Sequence, residues 1–458
     1  MSETLKETIG DPDNITSHYD KLVDHGALLR EIDSLRSAGY KVNFEPDKEA
    51  TDLAYNDPSA IHQMYHQLDE AGRKYEDHHR SKLSPSQLLA AKAVAKLHMT
   101  PLQPLAAPFK RAADKVRDAK ELARQELLYS PDKMPWHKQA GQAVALLTIA
   151  FAHELASEKT DGIYPTMSGM LGDEIFEVKF DDRADEFLRG KTIEEANNDA
   201  IRLFNGKSSE QAERATARRI DSLHDFIKQP ISEEFKQIVQ FCTDSLGIRS
   251  RKDKVREIVS DYTDDRLEKE PDLKEMTLMS VGCGTALPIF EVARALKEKG
   301  VNVTIILLDQ DPIALAAAQT LAEKPEFNLG DSIELHCQRL FSKTGQALDL
   351  SSVIKGRKID IVEDTGLREY LPPTVYKSLT RALWGALASG GLMSTGNMNT
   401  NRLQPEFLHG LMGWSPTVRM REIAEGFALH EASGINKGLT DAYVTADGTY
   451  TLFISQKP

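Results

Sequence analysis

From residue 277 onward, the chain alternates short apolar runs with amphipathic segments of helical length. Strand-like runs cover residues 277–281, 301–308, 333–337, 359–363 and 391–395, and helix-like segments cover 287–298, 313–323 and 375–387. Strands that alternate with crossover-length helices are typical of a parallel sheet, because each helix returns the chain to the same edge. This half therefore predicts a doubly wound, mostly parallel α/β sheet.

The end of the chain departs from this alternation. Two β-rich runs, 441–446 and 449–455, flank Asp447-Gly448. An Asp-Gly pair between such runs favours a tight hairpin turn. The sequence thus predicts an antiparallel C-terminal hairpin on the parallel sheet.

The first half has a different pattern. Residues 1–245 are mainly helical in periodicity, and Ser84-Pro85 is a typical helix start. The exception is 176–180, where apolar and charged residues alternate as in a strand. We therefore expect two domains, a mainly α-helical one over 1–245 and the α/β one over 246–458. The role of the first stays open between a cap, a substrate-binding part and an interaction surface, including a homodimer interface.

Composition disfavours several classes of function, nucleic-acid binding among them. A net charge of −13 repels a nucleic-acid backbone, and at 7% aromatic residues are sparse for base stacking. The three cysteines form no CxxC pair, so neither a disulfide framework nor a cysteine-based metal site is expected. The longest apolar run, 143–152, is about half of the ~20 residues that a membrane span needs. We expect a cytoplasmic protein with no membrane span and no metal.

The strongest chemical signal is the glycine-containing turn in MSVGCGTALPIFEVARAL, residues 279–296. Gly282 and Gly284 come directly after a predicted strand and before a predicted helix. Glycines there let the backbone approach a ligand, and the helix N-terminus offers free N–H groups. Cys283 is expected to contribute its backbone rather than its thiol.

A second signal is Asp309, at the end of the next strand and 25 residues after Gly284. In a doubly wound fold, an acid at this position can accept hydrogen bonds from both hydroxyls of a ribose. Asp311 precedes Pro312 and is better explained as a helix cap. A dinucleotide fingerprint needs a third small residue, where this chain has Leu287 followed by Pro288. The pattern therefore favours a nucleoside-containing cofactor other than NAD.

These residues resemble the class I S-adenosylmethionine-dependent methyltransferases over roughly 246–458. SVGCGTA resembles the first motif of that family, Asp309 its ribose-binding acid, and the final hairpin its antiparallel last strand. The resemblance implies S-adenosyl-L-methionine as cofactor and a small-molecule methyl acceptor. It also implies a set of cofactor-binding residues: Ser280, Gly282, Cys283, Gly284, Asp309, Gln338 and Asp364.

A narrower resemblance lies further along the chain. The segment GLREYL (366–371), the pair Gly396-Asn397, and Trp414 with Arg419 are similar to motifs of a bacterial methyltransferase subfamily. That subfamily includes proteins of 3-hydroxypalmitic acid methyl ester biosynthesis. The resemblance implies methylation of an oxygen atom in a carboxylate or hydroxyl acceptor.

The acceptor chemistry decides which side chains would take part. A carboxylate needs cations or donors, for which the candidates are Arg249, Arg251, Arg368, Arg419, Asn397 and Asn399. A hydroxyl would need a general base, for which Tyr370 and His409 are the candidates.

A different class of function also fits the pattern. In this alternative, the α/β half binds the cofactor without catalysis, and the helical half recruits a partner. Cofactor binding without turnover would distinguish it from an active methyltransferase.

Overall fold

A computed structural model describes residues 26–46, 74–97, 103–128, 163–164, 176–177 and 243–458, apart from 311, 343–344, 348 and 403–417. Its main feature is a sheet of eight strands in the order β1-β9-β10-β8-β7-β4-β5-β6. These strands are β1 (Lys41–Phe44), β4 (Glu275–Val281), β5 (Asn302–Asp309), β6 (Ile333–Cys337), β7 (Ile359–Asp364), β8 (Leu387–Met398), β9 (Thr440–Val444) and β10 (Tyr450–Gln456). Two short strands, β2 (Ile163–Tyr164) and β3 (Phe176–Glu177), pair separately.

Strand directions confirm the predicted fold class. β4 pairs in parallel with β5 and β7, β5 with β6, and β7 with β8. β10 is antiparallel to both of its neighbours, β8 and β9. The fold is therefore a doubly wound, mostly parallel α/β sheet with an antiparallel C-terminal hairpin.

Helices lie on both faces of this sheet and also account for most of the described residues before 129. They are α1 (Gly26–Ser37), α2 (Pro85–Leu97), α3 (Lys110–Leu128), α4 (Thr243–Lys269), α5 (Leu287–Glu298), α6 (Pro312–Glu323), α7 (Ser351–Ile354), α8 (Pro373–Ala386) and α9 (Ile423–Glu431). Residues 74–81 are helical as well. The division into domains at residue 245 stays a prediction, although α4 begins before that boundary.

Alternating side chains of each central strand divide the core into two layers. Leu278 of β4 packs with Phe290 of α5 on one face, in the layer that also contains residues of α4 and α6. Met279, the next residue, packs with Val362 and Tyr376 on the other face, where α8 lies. This alternation follows from the two-residue repeat of a strand. Both faces are buried, which explains why the strands are continuous apolar runs.

A strand from the N-terminal half extends the sheet. β1 pairs in parallel with β9, and Val42 is opposite Ala442. Together with α1 it encloses a third apolar cluster, in which Ile32 and Val42 join Phe427 and Phe453. Sequence analysis did not predict this strand, because four residues are too few to show a period. The strand expected at 176–180 is described over Phe176–Glu177, in the separate two-stranded sheet.

The hairpin turn is where the sequence places it. Gly448 has a φ of 73°, in the left-handed region that glycine adopts without strain. Its N–H donates to the Thr445 carbonyl oxygen at 2.7 Å, which closes the turn between β9 and β10.

Two helical glycines should respond in opposite ways to substitution by alanine. A Cβ at Gly426 of α9 would lie 2.0 Å from Cζ of Phe453, whereas a Cβ at Gly385 of α8 would meet nothing within 4 Å. Gly426→Ala should lower the free energy of unfolding by about 1–3 kcal/mol through overpacking. Gly385→Ala should raise it by up to about 1 kcal/mol, since alanine favours a helix. Chemical denaturation of both variants checks this, and equal effects would contradict the packing.

A carboxylate from the other end of the chain caps α9. The Ala424 N–H donates to Oε1 of Glu31 at 3.1 Å, while Glu422, at the N-cap position, makes no side-chain cap. Glu31→Ala should therefore cost about 0.5–2 kcal/mol of stability. Glu31→Gln keeps an acceptor oxygen and should therefore lower the free energy of unfolding less than Glu31→Ala does. Chemical denaturation of both variants at neutral pH measures the difference.

The same cap predicts a pH dependence. Burial raises the pKa of Glu31 above its ordinary 4.5, and the negative charge of Glu422 adds to this effect. The backbone N–H groups that donate to the carboxylate lower the pKa, but by less. A raised pKa in the folded state means that the stability contributed by this group is present below pH 4.5 and is lost as pH rises through the folded value. Wild type should therefore lose stability relative to Glu31→Gln as pH rises above 4.5. A difference that does not change with pH would contradict this.

Candidate functional site

The turn after β4 brings its backbone to the carboxyl edge of the sheet. Gly282 and Gly284 have φ values of 62° and 51°, so both occupy the left-handed region. A Cβ at Gly282 would lie 3.1 Å from Cβ of Leu367, whereas a Cβ at Gly284 would meet nothing within 4 Å. Gly282 thus allows close packing against the loop after β7. Gly284 borders open space, where a ligand can approach the main chain.

Asp309 contacts this turn directly. It ends β5, is half-buried, and its Oδ2 accepts a hydrogen bond of 3.1 Å from the Gly284 N–H. Its own carbonyl oxygen accepts one of 2.9 Å from the Gln338 N–H, just after β6. Three of the predicted cofactor-binding residues, Gly284, Asp309 and Gln338, are therefore neighbours at the ends of adjacent strands. Ligands bind at such edges in doubly wound folds.

The other predicted residues of β4 and its turn are buried. Ser280 is fully buried, and its hydroxyl donates to Oε2 of Glu363 at 2.5 Å. Cys283 is buried, and its thiol contacts the Gly284 carbonyl oxygen at 3.6 Å. Ser280 is thus bonded to the neighbouring strand β7.

Two adjacent acids at the end of β7 point to opposite faces of the sheet. Glu363 lies on the face of Ser280 and also accepts hydrogen bonds from the N–H, at 3.0 Å, and the hydroxyl of Thr365. Asp364 lies on the other face, where Nε of Arg368 donates to its Oδ2 at 2.5 Å. Sequence analysis chose Asp364 for the cofactor and did not select Glu363, because two adjacent acids look alike until the face is known.

Arg368 is enclosed on the face that carries α8. It is 0% exposed. Its Nη1 donates to the Tyr376 carbonyl oxygen at 2.9 Å and to Oγ1 of Thr380 at 2.6 Å. Its guanidinium lies 4.5 Å from the centre of the Tyr376 ring. Burial raises the pKa of Asp364 to about 7, although the Arg368 charge lowers it. The strand β7 therefore separates Arg368 and Asp364 from the Gly282–Gly284 turn.

A further group of polar residues lies at the ends of β8 and the segment before α9. The Arg419 N–H donates to the Glu369 carbonyl oxygen at 2.6 Å, and the half-buried Tyr370 is the next residue after Glu369. Arg421 is 3% exposed and donates to Oδ1 of Asn397 at 2.5 Å and to the Arg368 carbonyl oxygen at 3.1 Å. Arg421 was not selected from the sequence. Its position two residues after the candidate Arg419 is the sequence signal that could have identified it.

Arg251 comes to the same edge from α4. It is 9% exposed, its Nη1 donates to the Thr365 carbonyl oxygen at 3.3 Å, and it lies 3.7 Å from Glu369. Its guanidinium stacks 4.7 Å from the Tyr450 ring centre. Arg249, two residues earlier, is half-buried. Helix α4 thus places one buried arginine against the loop after β7.

Several predicted residues lie outside the described part of the chain. His409, Trp414 and Asp311 are among them. Within the described ranges, no group of three or more His, Cys, Asp or Glu side chains could hold a metal ion. In the same ranges, no helix combines the length and apolar character required to cross a bilayer.

Comparisons with known proteins give only distant structural likenesses. No family model matches this chain, and no curated protein matches it. A magnesium protoporphyrin IX methyltransferase from Synechocystis, with S-adenosylhomocysteine bound, is 16% identical with a TM-score of 0.34, over 47% of this chain and 86% of that one. An O-methyltransferase family protein from Burkholderia thailandensis is 16% identical with a TM-score of 0.33, over 47% and 60%. An O-methyltransferase family 2 protein from Planctomyces limnophilus, in complex with apigenin, is 16% identical with a TM-score of 0.32, over 40% and 51%. At such scores the likenesses carry no argument about activity.

Removing Asp364 should destabilise the protein strongly. Asp364→Ala leaves the Arg368 charge buried without its carboxylate, which should lower the free energy of unfolding by about 3–5 kcal/mol. Glu334→Ala is the matched control, because Glu334 pairs with Arg357 at 2.6 Å where both side chains are about 30% exposed. Its expected cost is about 1 kcal/mol. Urea denaturation compares the two, and equal losses would contradict the buried pair.

Proposed function

We propose that this chain binds S-adenosyl-L-methionine and transfers its methyl group to a small-molecule acceptor. The observation that carries the proposal is the contact between the Gly284 N–H and the Asp309 carboxylate at the carboxyl edge of the sheet. This contact brings together a backbone turn that a ligand can reach, the start of α5 and a half-buried acid. These are the three features that a nucleoside-containing cofactor needs.

The start of α5 supports this cofactor over NAD. The position where a dinucleotide fold needs a small residue is Leu287, the first residue of α5, and Pro288 follows it. The antiparallel strand β10 inside the sheet is also atypical of dinucleotide-binding folds. Asp309 would accept hydrogen bonds from the ribose hydroxyls, and the turn from Gly282 to Gly284 would lie along the cofactor.

Positioning would be the main task of the protein in this reaction. When bound, the cofactor supplies a methyl group on a sulfonium, which is already a good leaving group. The chain has to bring an acceptor oxygen in line with that methyl group. For a carboxylate acceptor, the proposed donors are Arg249, Arg251, Arg419, Asn397 and Asn399. Arg368 is no longer among them, because it is fully buried on the face of α8 and bonded to Asp364. For a hydroxyl acceptor, Tyr370 or His409 would accept the proton. The subfamily resemblance supports an acceptor of either kind.

The helical half would contribute to the acceptor side. We propose that residues 1–245 cover the site or form a homodimer interface, or do both. The absence of a Gly/Ser/Pro-rich linker supports a close association with the α/β half.

Asp309→Ala should weaken cofactor binding at least about 10-fold, since a carboxylate that accepts from two hydroxyls would be lost. Isothermal titration calorimetry with S-adenosylmethionine, S-adenosylhomocysteine and NAD measures this. Asp331→Ala, which removes an exposed acid before β6, is the control and should leave affinity unchanged. Tight NAD binding without a response to either methyltransferase ligand would overturn the proposal.

Turnover requires a separate measurement. Mass spectrometry of a cell extract, incubated with the protein and isotopically labelled S-adenosylmethionine, should reveal a small molecule that gains the label. Cofactor binding with no labelled product would favour the alternative function, a non-catalytic module that recruits a partner.

A further inference from the structure

We propose that a groove between α4 and the sheet is the docking site for a basic, amphipathic helix of a partner protein. The groove has a volume of about 750 Å³ and lies where β1, β8, β9 and β10 meet the second half of α4. It is separate from the proposed cofactor site.

The groove lies at the amino edge of the sheet. Its lining includes Lys41 at the start of β1, Ser389 near the start of β8 and Asp441 near the start of β9, three strands that run in the same direction. The contact between Gly284 and Asp309 lies at the carboxyl edge instead. A partner in the groove would therefore leave the proposed cofactor site accessible.

The floor of the groove is apolar. Tyr443 of β9 and Ile454 of β10 lie in it and pack against the core layer that contains α4. Their strand neighbours Ala442 and Phe453 point to the other face, where Phe427 of α9 covers them. On the face of the groove, α4 is the helix that forms the wall, and Tyr443 stays half-buried. The floor thus offers apolar surface that a partner can cover.

The wall that α4 forms is acidic. Glu257, Asp261 and Asp265 line the groove, are exposed and follow one another at intervals of four residues, so they form one row along the helix. Glu257 pairs with Lys254 at 2.7 Å. Within the part of the chain that the structure describes, Asp261 and Asp265 form no ion pair. Two carboxylates of the row are therefore available to cations of a partner.

Acids on both walls act on the floor. Burial raises the pKa of the Tyr443 hydroxyl above its ordinary 10, and the negative charges of Asp441, Asp261 and Glu257 add to this effect. Asp441, on the wall opposite α4, pairs with Lys41 at 3.6 Å, but the Lys41 side chain is 74% exposed, so this pair is weak. The resulting negative potential over an apolar floor favours an occupant that is both cationic and apolar.

A basic amphipathic helix meets both requirements. Its lysine or arginine side chains at intervals of four residues would match the row of carboxylates, and an adjacent apolar stripe would cover Tyr443 and Ile454. A polyamine would match the charges but leave the floor in water, and a nucleic acid would be repelled. A second copy of this chain carries the same net charge of −13, which opposes its approach.

Synthetic peptides test the groove on the full-length protein. The probe is a fluorescent helical peptide of about 18 residues, or five turns, with lysines four residues apart beside a stripe of leucines. In fluorescence anisotropy at low salt, Asp261→Asn combined with Asp265→Asn should weaken its binding about 5- to 25-fold. Glu298→Gln combined with Asp331→Asn is the matched control. It removes the same charge from two exposed acids outside the groove and should change the affinity by less than about 2-fold.

A second peptide tests the apolar floor. Glutamines replace its leucines, and it should bind wild type at least about 10-fold more weakly, because it buries no apolar side chain. Equal affinity of the two peptides, equal losses in the two double variants, or no binding to wild type would each overturn the proposal.

Two further measurements identify a different occupant. If spermine binds wild type as tightly as the leucine peptide does, and Asp261→Asn with Asp265→Asn weakens it equally, the groove is a polyamine site and the proposal is wrong. If sedimentation velocity shows a wild-type dimer that this double variant does not form, the occupant is a second copy, and the proposal is wrong as well.

Discussion

Backbone hydrogen bonds hold β4 between β5 and β7 in parallel register, with Val281 opposite Leu308 and Ser280 opposite Glu363. Parallel strands end at the same edge, so this register determines which side chains meet after the strands end. It brings the glycine turn to Asp309 on one side and Ser280 to Glu363 on the other. A slip of one residue would turn Glu363 to the far face and place Asp364 beside the turn.

The carboxyl edge beyond β7 is unusually rich in buried polar groups. Arg368 binds Asp364, Arg421 binds Asn397, and Arg251 lies near Glu369, and all six residues are buried. Partnered in this way, they link the loop after β7 to β8, α4 and the segment before α9. Removing one partner would leave a buried charge, so the cluster makes this edge rigid and intolerant of substitution. A rigid edge would suit the proposed methyl transfer, which depends on positioning.

Residues far apart in the chain complete the sheet. β1 pairs with β9, Glu31 caps α9, and the Tyr40 hydroxyl donates to Oε1 of Glu431 at 2.9 Å. The segment 26–46 thus contacts both ends of α9, the helix that begins two residues after Arg421. Residues 26–46 are therefore tied to the α/β sheet at its edge, and a chain that begins at residue 246 would expose the apolar cluster around Phe427.

Local pattern by itself determined most of the α/β architecture, since the periods of strands and helices and the turn at Asp447-Gly448 depend on neighbouring residues alone. The same local signals identified Gly282, Gly284 and Asp309, which the fold brings together. The tertiary structure decided that Glu363 faces Ser280 and that Asp364 faces Arg368. Adjacent residues of a strand point to opposite faces, and only the pairing of β7 with its neighbours determines which residue points to which face. The tertiary structure also decided the place of β1, whose partner is about 400 residues away. No periodic pattern reports such a pairing, since the free energy that selects it comes from burial against α9 and β10.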